Sequence, residues 1–125
     1  LTYDAYGRCI EEGYRIFGTE PLFALRTDEG RVMSLPYELT VCIPVEPPKQ
    51  PDERLRHFPA SRAFSLLASG DYGTIPALYQ QFWREVETRG IEPAGRVRAI
   101  ALVAAYVGEH ISPEDYVYRI VVPVL

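Results

Sequence analysis

The sequence has 125 residues, 47% of them hydrophobic and 24% charged, with a formal net charge of −4. This is the profile of a globular chain long enough for one domain with its own core, and it argues against a disordered chain. No apolar run approaches the roughly 20 residues that span a bilayer, and the acidic balance argues against a surface that grips nucleic acid by itself, which needs clustered Lys and Arg. The chain opens without a charged stretch followed by an apolar one, so no secretory signal is visible and a cytoplasmic location is expected. It begins at Leu1 rather than Met, which reads as a fragment of something longer.

In chain order, Tyr3, Tyr6, Ile10, Tyr14 and Phe17 recur at spacings of three and four, which predicts a helix over 2–17 with Gly18 as its stop. Residues 21–25 read as a short strand, Asp28-Glu29-Gly30 as a turn, and residues 37–43 as a half-buried strand. The run Glu-Pro-Pro-Lys-Gln-Pro-Asp at 46–52 is a linker, because proline can sustain neither a helix nor a sheet ladder. Beyond it, residues 55–58 and 63–68 are strand-like, with a bend at Phe58-Pro59-Ala60-Ser61. Thr74 is placed to cap a second helix, whose apolar stripe is Ile75, Leu78, Tyr79, Phe82, Trp83 and Val86 and whose stop is Gly90. Strands over 99–106 and 116–122 follow, separated by a turn at Ser112-Pro113-Glu114-Asp115.

The halves echo one another. Gly18-Thr19-Glu20-Pro21 matches Gly90-Ile91-Glu92-Pro93, Ala24-Leu25 matches Ala101-Leu102, and a tyrosine-led strand ends in Pro-Val at Pro44-Val45 and again at Pro123-Val124. The expected fold is therefore α+β: duplicated strand-helix-strand-strand modules sharing an antiparallel sheet, with two helices packed on it. Module one covers 1–45 and lacks its leading strand, which belongs before Leu1; the linker is 46–52; module two covers 53–125.

Cys9 and Cys42 are too few for a disulfide framework, and His57 and His110 stand outside any metal-ligand spacing. No catalytic set is apparent, since Ser61, Ser65 and Ser69 lack a nucleophile-elbow context, and no cofactor or metal motif is present. The nine tyrosines suit a pocket for planar organic molecules, because each offers a flat apolar body and one hydrogen-bonding tip. Tyr37 and Tyr116 fall at equivalent places in the repeat, and Tyr118 shares a strand face with Tyr116. Trp83 serves either as core or as a ligand platform. Phe64 faces either a cleft or the opposite side of its strand, and Glu38 lies either in solvent or in the cleft.

The order strand, helix, strand, strand, with Arg54-Leu55-Arg56-His57-Phe58-Pro59-Ala60-Ser61-Arg62-Ala63, the loop Gly70-Asp71-Tyr72, the turn Gly90-Ile91-Glu92-Pro93-Ala94-Gly95 and the final strand 116–124, resembles the GyrI-like small-molecule-binding domains. These are effector domains of AraC-type and MerR-type bacterial transcription regulators and also occur as stand-alone proteins. The resemblance implies a ligand cleft between the modules, multidrug-type binding, and a role for Tyr72 and Tyr116 there. Several members meet cationic ligands with an acidic residue on the first strand after the second helix. This chain has Arg98-Ala99-Ile100-Ala101 at that place, which favours an apolar, aromatic or anionic ligand near Arg96, Arg98 or Arg119. The expected partners are a small organic ligand, DNA only through an attached domain, and no membrane; a homodimer is compatible. The alternatives are a stand-alone protein docking a macromolecule, distinguished by gene length, and a small hydrolase, distinguished by turnover.

Overall fold

The computed structural model describes residues 2–16, 23–31, 38–50, 52–103 and 110–125. Helix α1 is Thr2–Glu11 and α2 is Ile75–Thr88. The strands are β1 (Phe23–Arg26), β2 (Leu39–Cys42), β3 (Ala63–Ser69), β4 (Arg98–Val103) and β5 (Val117–Pro123). All pair antiparallel in one sheet of order β2-β1-β4-β5-β3. The architecture is α+β, as the sequence pattern implied. No described helix is long and apolar enough to cross a membrane.

The core forms where the stripe of α2 meets the sheet. Leu78, Tyr79, Phe82, Trp83 and Val86 all point the same way, and Phe82 is fully buried. They pack on Phe64, Leu66 and Ala68 of β3, Ala99 and Ala101 of β4, and Tyr118, Ile120 and Val122 of β5. These sheet residues alternate along each strand and lie opposite one another across it: Val122 faces Phe64, and Ile120 faces both Leu66 and Ala99. Complete burial of one such side chain contributes about 2 kcal/mol relative to exposure. Thr74 precedes α2, but its hydroxyl donates to the Asp71 carbonyl and makes no cap bond. The helical backbone dihedrals of Thr74, with Pro at the helix start, leave its side chain aimed backward instead of at the first turn.

Helix α1 ends six residues earlier than the apolar spacing predicted. Gly13, at φ 80°, reverses the chain, with its N–H donating to the Ile10 carbonyl and that of Tyr14 to the Cys9 carbonyl. Tyr14 therefore lies beyond the helix, Phe17 and Gly18 lie outside the described residues, and Ile10, assigned to the inner face, is 68% exposed. The same turn recurs at the end of α2, where Gly90 (φ 63°) donates to Glu87 and Ile91 to Val86. Each of these residues stands 77 positions after the one in the same place at the end of α1. At the sheet centre Phe23 faces Ile100, again 77 apart. Their outer neighbours, Cys42 and Arg119, have the same spacing. Isolated bridges join Ile16 to Val45 and Pro93 to Val124.

β2 and β3 occupy opposite edges of the sheet, so the segment joining them, residues 43–62, has to cross it. It does so on the face away from α2, where Phe58 meets Phe23 of β1 edge-on at 5.2 Å and lies 4.9 Å from the Arg98 guanidinium of β4. Residues 55–58, strand-like in pattern, form no strand. Their apolar side chains serve this crossing and have no neighbouring strand to pair with.

Candidate functional site

A cavity of about 1040 Å³, open to solvent, lies between α1, the β1–β2 pair, the crossing segment and Arg98. Its apolar lining includes Phe23, Val41, Ile43, Leu55 and Phe58; Cys9 and Cys42 also border it. Tight junctions build its rim. The Tyr14 hydroxyl donates to the Asp52 carboxylate, and Arg54 bridges Asp52 at 2.6 Å and Glu12 at 2.7 Å. The crossing segment is thereby pinned to the end of α1. Arg54 and the Tyr14 hydroxyl hold the Asp52 carboxyl well below the usual carboxylate range.

The charged lining is unequal. Arg8, Lys49, Arg54, Arg56 and Arg98 stand against Glu12 and Asp52, and both acids are taken up by Arg54. The cavity is electropositive in a chain whose net charge is −4. Burial pushes the Cys42 thiol up, while Arg56, Arg96 and Arg98 pull it the other way. Among the described residues, no group of three or more His, Cys, Asp or Glu could hold a metal.

The residues singled out in the sequence lie elsewhere. Tyr37 is outside the described residues, as is the side chain of Tyr72. Glu38 is exposed before β2, its N–H donating to the Thr27 hydroxyl and its carbonyl accepting from the Thr27 N–H. Phe64, Trp83, Tyr116 and Tyr118 come together, but in the core under α2; Phe64 stacks on Phe82 at 5.4 Å. Trp83 borders a smaller cavity of about 270 Å³ with Gln80, Arg84 and Glu87, and Arg31 lies 3.6 Å over its ring. Its indole N–H donates to the Glu29 carbonyl at 2.9 Å, tying α2 to the β1–β2 turn. Trp83→Phe is therefore expected to cost about 2 kcal/mol, about 1 kcal/mol for the hydrogen bond and the rest for the buried ring volume removed. Urea unfolding followed by far-UV circular dichroism measures it, and unchanged stability would mean the bond contributes nothing.

Of the cavity residues, only Arg98 was within reach of sequence reasoning, because a basic residue stands where the resembling domains carry an acid. Phe23, Arg56 and Phe58 were missed. The available signal was the basic-aromatic run Arg56-His57-Phe58 beside a proline-rich connection, but its meaning depends on which sheet face that connection crosses. No protein-family model matches the chain, and no curated protein resembles it significantly.

Proposed function

We propose that this chain is a ligand-sensing effector domain of the GyrI-like kind, made of two related modules, and that it serves a bacterial transcription regulator by binding a small organic molecule. The observation that carries this reading is the roughly 1040 Å³ cavity, in which aromatic and aliphatic side chains stand beside several charged groups, so that it offers both an apolar surface and polar anchors to a small molecule. The two-module interpretation is supported by the matching helix-terminal turns, strand registers and bridges at spacings of 77 to 79. The cavity draws on α1, β1 and β2 from the first half, on the crossing segment, and on β4 from the second. An occupant would therefore touch elements from both ends of the chain and bias their relative placement, the differential contact that signalling to an attached domain requires.

A thermal-shift screen with cationic, neutral and anionic aromatic compounds tests the reading. A ligand that binds only the folded state raises Tm by mass action, by about 2.7 kcal/mol of added stability at a hundred times its Kd. The expected result is a dose-dependent rise that is lost in Cys42→Trp, which fills the cavity from β2 on the same sheet face as its partner Phe23. No shift from any compound, with the protein folded, would overturn ligand sensing and favour docking of a macromolecule. A gene encoding no DNA-binding segment would overturn the regulator assignment.

A further inference from the structure

We propose that the cavity selects small organic anions: a carboxylate-bearing, planar apolar molecule whose charged group meets Arg98 and Arg56 and whose body lies against Phe23 and Phe58. This inference rests on the ligand-sensing reading and adds the chemical class of the ligand.

Arg98 is the anchor. Its position on β4 puts its guanidinium 5.3 Å from the Phe23 ring and 4.9 Å from the Phe58 ring, and those rings lie 5.2 Å apart. The three groups form a triangle at the cavity wall. Cation–π contact orients the guanidinium but supplies no hydrogen-bond acceptor. Its Nε is buried and has no hydrogen-bond partner among the described residues, and no described carboxylate stands within ion-pair distance. A buried, unsatisfied guanidinium N–H is costly, and a carboxylate is the acceptor whose geometry matches the guanidinium fork.

The surrounding charges point the same way. Arg54 is neutralised by Asp52 and Glu12, whereas Arg8, Lys49 and Arg56 form no ion pair among the described residues. A cationic ligand would find every nearby acid occupied by Arg54. A neutral ligand could accept one hydrogen bond from Arg98 but would lack the charge and the paired oxygens that match its fork. The edge-to-face Phe23–Phe58 pair presents apolar ring surface beside the cation, which suits a planar hydrocarbon attached to the carboxylate.

Isothermal titration of the chain with 1-naphthoate, 1-naphthamide and 1-naphthylmethylammonium tests the selection. Naphthoate is expected to bind about tenfold or more tightly than the amide, the difference that one charge-assisted hydrogen bond makes, and the ammonium compound more weakly than both. Arg98→Gln is expected to remove the preference of naphthoate over naphthamide. The exposed Arg56→Gln, which carries no folding risk, should weaken naphthoate several-fold and leave the amide unchanged. Comparable affinity for all three compounds in the wild type would overturn the anion assignment while leaving ligand sensing intact. The same follows if Arg56→Gln and Arg98→Gln, checked as folded by circular dichroism, both keep the preference. Inorganic phosphate displacing naphthoate at equal concentration would also overturn it, assigning the cavity to a free oxyanion. Absence of any binding by all three compounds and by phosphate would overturn both readings.

Discussion

Gly30→Ala is expected to destabilise the fold by about 3 kcal/mol or more, combining the cost of overpacking a core with that of a strained backbone. Gly30 has φ 72°, and a Cβ built on it would lie 2.2 Å from Tyr79 Cδ1 and 2.3 Å from Cγ. Those atoms belong to a rigid ring that is 1% exposed and held between α2 and the sheet, so it has nowhere to move. The turn also depends on this position, since Glu29 and Gly30 both take positive φ and Arg31 N–H closes it on the Asp28 carbonyl. Gly13→Ala provides the comparison: φ is 80°, but nothing lies within 4 Å of the added carbon. Its cost should be near 1 kcal/mol, from backbone strain alone. Urea denaturation of the two variants separates them, and equal losses would mean that Tyr79 does not close over Gly30.

Asp28→Ala is the second large effect. Asp28 receives two hydrogen bonds at 2.8 Å from the Arg26 guanidinium and one at 3.0 Å from the Gly30 N–H. Arg26 is 6% exposed and lies 5.4 Å over the Tyr79 ring, while its carbonyl accepts from Arg96. Removing the carboxylate leaves a buried cation without its bidentate partner and the turn without its side-chain bond. The expected loss is about 3 kcal/mol, the lower end of what removing one member of a buried pair costs, or roughly 10 °C in Tm for a chain of this size. The pair also implies a pH dependence. The Arg26 hydrogen bonds hold the Asp28 carboxyl below the usual carboxylate range. Its contribution is thus complete above the unfolded value of about 4 and is lost as pH falls through the lower folded value. Melting curves should show wild type and variant separated at pH 7 and converging in acid. A gap independent of pH would mean that the ion pair is not its source.

Much of the fold was legible because it is local. The stripe from Ile75 to Val86, bounded by Thr74 and Gly90, specifies a helix with one apolar face whatever it packs on. The Asp28-Glu29-Gly30 turn and the alternation along β3 and β5 are equally short-range. The end of α1 was misplaced because the apolar spacing runs on past Gly13, and only the hydrogen bonds of Gly13 show that the helix has already turned there. The tyrosines were ambiguous for a related reason: a half-apolar ring suits a pocket or a core equally well, and burial of Tyr116 and Tyr118 depends on α2 lying over their side of β5.

By itself the sequence determined most of the element types, the α+β class, the acidic net charge, and an echo between the halves. Tertiary structure alone decided the strand order, because antiparallel pairing across long loops is set by which faces bury together and not by proximity along the chain. That order puts β2 and β3 on opposite edges and forces residues 43–62 across the sheet. The crossing carries Phe58 to Phe23 and Arg98, and with them creates a cavity whose walls come from Arg8, Phe23, Val41, Arg56 and Arg98. Five positions spread over 90 residues form no motif, because their proximity comes from the sheet pairing and the crossing, which bring distant parts of the chain together.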